Sequence, residues 1–265
     1  MTVPLIRLEN VCVDYKGFRA LDRVSFEVAP GEVVGIVGES GSGKTTALRA
    51  IMGLTPIAEG EVFFGEERIT HMRPRQRRRV WRDMQMIFQD PSTSLSPYRS
   101  LTASIAEPLI AHGEVQAEAQ NRAESLLDLV GLDRDMAGRR PHALSGGQRQ
   151  RVAIARALAL SPRLIVADEP MSSLDVSVKA QVGRLFSDLR SQLGTAFLIV
   201  SHDLALMFGM ADRIIVMKHG RIVEQGPTSA IICSPAENYT RRLRAACLDP
   251  HAVIRARLGV QEGTV

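Results

Sequence analysis

The stretch Gly38-Glu39-Ser40-Gly41-Ser42-Gly43-Lys44-Thr45 consists of a glycine, four residues, then Gly-Lys-Thr. It restricts the fold more tightly than any other part of the chain. Its glycines let the backbone take positive φ, so that successive N–H groups turn inward and line a concave nest suited to a polyphosphate. Such a nest must be fixed at both ends. Val33-Val34-Gly35-Ile36-Val37 before it is a short apolar run of the kind that forms a buried parallel strand, and Ala47-Leu48-Arg49-Ala50-Ile51-Met52 after it has helical composition, with Gly53 as a stop. A helix starting at the end of the loop aims its positive dipole end at the same anion. Lys44 is expected to supply a mobile cation, and Thr45, followed by Thr46, a hydroxyl for a magnesium ion on the outer phosphates. A glycine-rich turn without a ligand is the plain alternative, but here every fixed position is filled between a strand and a helix. Nucleotide binding is the first function these residues suggest.

A second element narrows this. Leu144-Ser145-Gly146-Gly147-Gln148 precedes Arg149 to Leu158, a run of strong helix formers that Ser161-Pro162 closes. Ser145 reads as an N-cap, and a serine with two glycines at a helix start is a second anion site. Capped helices are common, so the weight comes from the segment next in the chain. Leu164-Ile165-Val166-Ala167 is an all-apolar strand ending in the carboxylates Asp168 and Glu169. In this order the chain resembles the ATP-binding subunit of an ABC transporter, whose signature sequence is LSGGQ. The resemblance covers nearly all of residues 1–230.

The resemblance implies a set of roles. Asp168 holds magnesium, usually through water, and Glu169 is the general base for the attacking water. One carboxylate neutralised by a cation leaves the other to accept a proton. Ser173-Leu174-Asp175 looks like the family's D-loop, with Asp175 near the nucleotide. His202, in Ser201-His202-Asp203 after the apolar Phe197-Leu198-Ile199-Val200, stands where the family has a histidine contacting the γ-phosphate. A lone histidine after a strand is usually a polar loop residue, and its weight here rests on falling after the other motifs. Gln89 matches the Q-loop glutamine that reaches magnesium and water and links the site to the membrane partner. Tyr15 matches the aromatic residue that stacks on adenine, although a tyrosine at a strand end often packs on its own sheet. ATP and Mg2+ are the implied ligands. Ser145, Gly146, Gly147 and Gln148 are implied to serve the ATP of an opposite subunit, in a head-to-tail pair that closes on two nucleotides and opens on hydrolysis.

Composition sets limits. With 265 residues, 45% hydrophobic and 23% charged, the chain suits one buried domain with a smaller insert. No apolar stretch is long enough to cross a bilayer and Met1 to Arg7 lacks a secretion-signal pattern, so the expected location is peripheral, at the cytoplasmic face of the inner or plasma membrane. Cys12, Cys233 and Cys247 are dispersed and odd in number, which fits neither a disulfide framework nor a local metal site. The formal charge is only +4, but Arg73-Pro74-Arg75-Gln76-Arg77-Arg78-Arg79-Val80-Trp81-Arg82 is a concentrated basic run. Such a run could neutralise phosphates while Trp81 stacks on a base, yet it leads straight into the Q-loop strand, and nucleic acid is not the expected partner.

The expected fold is α/β: a P-loop NTPase with a RecA-like parallel sheet, an antiparallel β lobe and an inserted α-helical subdomain. Strands near 33, 164 and 197 form the parallel sheet, while Leu5 to Leu8 and the alternating Val24, Phe26 and Val28 belong to the lobe. The insert, about 91–162, carries Ala119, Ala123, Leu126, Leu127 and Val130 on one helix face, closed by Gly131. Arg213 to Met217 and Arg221 to Glu224 read as a hairpin. An ATPase domain over 1–230 and an extension over 231–265 complete the division. No long internal repeat is present, so the chain holds one ATPase unit.

Smaller details resemble the subunits that energise dipeptide, oligopeptide and nickel importers. They are Asp90-Pro91-Ser92-Thr93-Ser94-Leu95-Ser96-Pro97, Asp175-Val176-Ser177-Val178, and the tail around Tyr239-Thr240. The tail departs from the usual His-Pro-Tyr-Thr in having Glu237-Asn238, and Met171 replaces a common threonine. It also lacks the four thiolates that an iron–sulfur cluster needs. The implied partners are a second ABC ATPase, integral membrane permease subunits and, indirectly, an extracytoplasmic solute-binding protein. Residues 89–98 are expected to form an exposed loop rather than a helix, with Pro91, Leu95 and Tyr98 the side chains best suited to bury against the membrane subunit; the alternative is that they merely pack the helical insert onto the core. The alternative function is a soluble ABC-type ATPase without a pore, acting in phosphonate degradation or nucleic-acid handling.

Overall fold

The computed structural model describes residues 3–247. Its strands are β1 (Ile6–Tyr15), β2 (Phe18–Val28), β3 (Val33–Val37), β4 (Glu59–Phe64), β5 (Glu67–Arg68), β6 (Met84–Ile87), β7 (Leu164–Asp168), β8 (Ala196–Ser201), β9 (Arg213–Lys218) and β10 (Arg221–Pro227). The helices are α1 (Lys44–Met52), α2 (Pro74–Asp83), α3 (Pro91–Ser94), α4 (Leu101–Ala111), α5 (Gln116–Leu129), α6 (Gly146–Leu158), α7 (Val176–Leu193), α8 (Leu204–Met210), α9 (Thr228–Cys233) and α10 (Asn238–Cys247). None of them is long and apolar enough to cross a membrane.

Two sheets organise the molecule. The antiparallel lobe runs β2-β1-β4-β5, and the larger sheet runs β10-β9-β3-β8-β7-β6. In β2 the expected alternation holds, with Val24, Phe26 and Val28 buried and Arg23, Ser25 and Glu27 exposed. In the larger sheet β6, β7, β8, β3 and β9 are mutually parallel, and β10 pairs antiparallel with β9. The segment Arg213 to Met217, read from the sequence as half of a hairpin, is therefore also a parallel neighbour of β3. Hydrogen bonding to a strand far back in the chain leaves no local sequence mark.

Strands β3, β7 and β8 are buried throughout, and apolar up to Asp168 and Ser201 at the ends of β7 and β8, because each of their faces is covered. Val33, Val37, Ile165, Ala167, Phe197 and Ile199 join one core, which also holds the buried faces of α4 to α8. Val34, Ile36, Leu164, Val166, Leu198 and Val200 join a second core with α1 and the antiparallel lobe. Phe186 of α7 meets Phe197 edge-on at 5.3 Å between ring centres, a geometry worth about 1 kcal/mol beyond burial. Helices α3 to α6 lie between β6 and β7, where the insert was expected. Ala119, Ala123, Leu126, Leu127 and Val130 are buried there, and α4 packs on α5 and α6.

Residues 89–98 differ from the expected loop. The Asp90 carboxylate accepts from the Ser92 N–H at 2.8 Å and caps the single turn of α3, which Pro91 opens. Pro91 is buried, and Leu95, only 2% exposed, sits in the first core; Tyr98 alone of the three expected contact residues is open, at 84%. The basic run forms α2. The Arg77 guanidinium is buried and donates to the carbonyls of Ile69 and Thr70. Trp81 packs on the second core and donates from Nε1 to the Met52 carbonyl at 3.1 Å, so its indole has an internal use. Cys12 is buried and Cys233 exposed, both as free thiols; the side chain of Cys247 lies outside the described residues. The boundary expected at 230 falls inside α9, and residues 248–265 of the expected extension also lie outside the described residues.

Candidate functional site

Strand β3 ends at Val37 and the chain turns sharply at Gly38, where φ is +155° and a Cβ would stand 2.3 Å from the Met217 carbonyl oxygen. Only glycine fits so close to β9. The loop then wraps to Gly43, the N-cap of α1 at φ +103°, and α1 runs to Met52 with Gly53 as its C-cap, as the sequence implied. Lys44 is not the mobile cation expected from the sequence. It is 5% exposed, and Nζ donates at 2.8 Å to the carbonyls of both Gly38 and Glu39. Burial lowers its pKa from the ordinary lysine value, opposed by the nearby Glu169 and Asp168 charges. An ammonium has three donors, so one remains for an anion in the loop.

Asp168, at the end of β7, faces the first turn of α1 and accepts from the Thr45 hydroxyl at 2.9 Å. Burial raises its carboxyl pKa, while the Thr45 hydrogen bond works the other way. Glu169 follows at φ +42°, the left-handed region that a residue with a Cβ enters only at a cost of about 1–2 kcal/mol. Its N–H is fixed on the Val200 carbonyl at 3.0 Å. This turn separates the two carboxylates. Glu169 Oε2 receives Gln89 Nε2 at 3.4 Å and lies 3.2 Å from His202 Nδ1, an ion pair when the imidazole is protonated.

One cleft of about 470 Å³ is lined by Tyr15, Phe18, Ala20, Ser40, Gly41, Gly43, Lys44, Thr45, Thr46, Gln89, Glu169 and His202; Asp168 is not in its wall but is hydrogen-bonded to Thr45, which is. That volume is in the range of small-molecule sites. Tyr15 is 41% exposed, and its hydroxyl is tied to Thr55 Oγ1 at 2.8 Å. Phe18 and Ala20 were not foreseen. Phe18 pairs with Tyr15 across the turn Lys16-Gly17, both at positive φ. A Tyr-x-Gly-Phe hairpin was the available signal, since a two-residue turn with glycine second sets its flanking residues opposite each other.

The remaining residues named from the sequence lie outside the cleft wall. Gly38, Glu39 and Ser42 belong to the loop but not to that wall, Gly38 and Ser42 being buried and Glu39 exposed. Ser145 caps α6, its hydroxyl accepting from the Gln148 N–H at 3.3 Å while the Gln148 side chain accepts from the Ser145 N–H at 3.0 Å. This reciprocal box uses the hydroxyl only as an acceptor and leaves its O–H available to donate at the exposed helix start. Gly146 and Gly147 lie against Leu174 and Val178, and Asp175 is the N-cap of α7. The chain thus brings its loop, both carboxylates, Gln89 and His202 together, and leaves Ser145 to Gln148 and Asp175 elsewhere.

The donor set beside the loop suits a resident cation. Thr45 Oγ1 and an Asp168 oxygen adjoin at the cleft, both hard oxygen ligands, and the described residues contain no cluster of three His, Cys, Asp or Glu able to cage a metal. One carboxylate, one hydroxyl and a ligand's own phosphates are the set that suits Mg2+.

A parallel sheet with a glycine-rich loop leading into a buried helix, and two carboxylates beside it, defines a P-loop NTPase cassette. The family model described as ABC transporter matches residues 21–172. The chain belongs to that family. It is similar to the glutathione import ATP-binding protein GsiA of Escherichia coli (strain K12), at 46% identity over 92% of this chain and 41% of that protein. The GsiA of Salmonella typhi is likewise 46% identical, over 86% of this chain and 37% of its own length. The chain therefore spans about two fifths of these curated relatives. Among solved structures it resembles the dimeric ATP-binding cassette MJ0796 in a post-hydrolysis state bound to ADP and Pi, at 32% identity and TM-score 0.76 over 84% of this chain and 98% of that one. It also resembles cbiO1 from Clostridium perfringens, part of the ABC transporter complex cbiONQ, at 25% identity and TM-score 0.80 over 96% and 99% of the two chains.

Proposed function

We propose that this chain binds and hydrolyses ATP to energise an importer of peptides or a related small solute such as nickel. The observation that carries this is the placement of Glu169 between Gln89 and His202 at the mouth of the loop cleft, beside the Thr45–Asp168 pair. The loop amides and Lys44 hold the phosphates, and the Tyr15 ring offers a face to adenine. Thr45 and Asp168, with Gln89, would hold Mg2+, which when bound neutralises charge on the outer phosphates. Glu169 orients the attacking water and accepts its proton, and His202 contacts the γ-phosphate. Because Ser145 to Gln148 lie outside this cleft, a second cassette supplies the signature that completes it. The membrane permease subunits, and through them an extracytoplasmic binding protein, are the remaining partners, and the chain works peripherally at the cytoplasmic face. The GsiA likeness supports the peptide class of cargo, and no feature favours the soluble accessory reading.

Glu169→Gln should leave ATP binding by the full chain within about twofold while lowering steady-state phosphate release by about 100-fold or more, the scale of a lost general base. Release near the unmutated rate defeats the assignment. Recovery of the chain with an integral membrane protein from native membranes separates the importer from the accessory reading, which requires none.

A further inference from the structure

The tail reaches the phosphate loop. On β10 itself the Glu224 carboxylate accepts from the N–H groups of Ala236 at 2.8 Å and Glu237 at 3.2 Å, and Arg241 donates to the carbonyls of Pro235 at 3.0 Å and Ala236 at 2.8 Å. These bonds set the start of α10 and bury Tyr239 to 8% exposure. Lys218 Nζ stands 4.8 Å over its ring, and its hydroxyl oxygen accepts from the Glu39 N–H at 3.2 Å. Two hundred residues separate the partners in sequence.

The peptide unit involved makes the contact consequential. The Glu39 N–H and the Gly38 C=O belong to one planar trans peptide and point in opposite directions. The first is held by Tyr239, and the second accepts from Lys44 Nζ at 2.8 Å. Rotation of that plane would release both, and the glycine before it offers little steric resistance to rotation. Glu39 is absent from the cleft wall, so the bond to Tyr239 takes no donor from a bound phosphate.

We propose that Tyr239 is a positioning residue for Lys44: its hydroxyl locks the Gly38–Glu39 peptide in the orientation whose carbonyl aims the Lys44 ammonium into the phosphate loop. The nucleotide half of this inference rests on the function proposed above; the mechanical half does not.

The test uses the full chain and Tyr239→Phe, which keeps the buried ring and its lysine and removes only the hydroxyl. Hydrogen exchange of the Glu39 amide should quicken about tenfold or more with β9 and β10 unchanged, and the Kd of a non-hydrolysed ATP analogue with magnesium should rise about fivefold to tenfold, as for one lost hydrogen bond. The melting temperature should stay nearly constant, which distinguishes positioning from general stability. Glu224→Gln, which loosens the start of the tail from outside the site, should shift both readouts the same way and serves if Tyr239→Phe does not fold. Unchanged Glu39 exchange overturns the proposal. Faster exchange with unchanged analogue affinity overturns its Lys44 half. If the unmutated chain binds no analogue, the nucleotide reading fails, while the exchange result still decides the lock.

Discussion

At the residue scale, Asp168 shows the tension between folding and chemistry. Its carboxylate is buried, and burial raises its pKa, so the folded chain holds a proton on it over a pH interval in which the unfolded chain does not. The sign comes from linkage: where the folded state binds more protons, stability falls as pH rises. Ionised Asp168 therefore destabilises the nucleotide-free chain at neutral pH, and a cation beside it relieves that cost. Asp168→Asn keeps an acceptor for the Thr45 hydroxyl and removes the charge. It should raise the melting temperature at pH 7 by a few degrees, about 1 kcal/mol for a chain of this size, with the gain shrinking as pH falls into the ordinary carboxylate range. It should also weaken magnesium-dependent nucleotide binding. Equal melting of both proteins at pH 7 rules out the buried-charge account.

At the element scale, α3 and its flanks show what the sequence made legible and what it did not. The phosphate loop, the Ser145 cap, the Asp168-Glu169 strand end and the face Ala119, Ala123, Leu126, Leu127 and Val130 were readable because each depends on residues a few positions apart. The burial of Leu95 was not. Its apolar side chain, between Ser94 and Ser96, has no periodic partner, and the core it enters takes in helices that begin more than a hundred residues further on. The same holds for Tyr239, whose partner on the loop could be found only once the chain had folded, and for β9 beside β3. Leu95→Ala should accordingly cost about 2–4 kcal/mol of stability. Tyr98→Ala, at 84% exposure, should change stability by no more than about 0.5 kcal/mol. Denaturant titration of the two variants checks both, and equal midpoints would contradict the burial of Leu95.

At the scale of the whole molecule, the cleft and the signature helix lie apart on one chain, so each cassette is half of a composite site under the proposed function. A mixture of Lys44→Ala and Ser145→Arg chains tests this. In a mixed pair both lesions fall on the same composite site and one intact site remains, whereas pairs of like mutants retain none. Nucleotide crosslinking in mixed pairs should recover about half the unmutated occupancy; equal labelling in mixed and like pairs contradicts the head-to-tail arrangement. If the natural pair is a heterodimer, one lesion is placed on each partner.

The order of the larger sheet carries a mechanical consequence. Strands β7 and β8, which deliver Glu169 and His202, have a neighbour on each side, whereas β6, four residues long and last in the sheet, is bonded to β7 alone. Edges of a fold open at lower free energy than its centre. The cleft thus has two stiff walls and one compliant wall, and the compliant one carries Gln89. A push arriving through residues 89–98 meets least resistance there, and the 3.4 Å contact from Gln89 to Glu169 is the first to part. Under the proposed function, stiffness is distributed so that the carboxylate holds its place while Gln89 gives way.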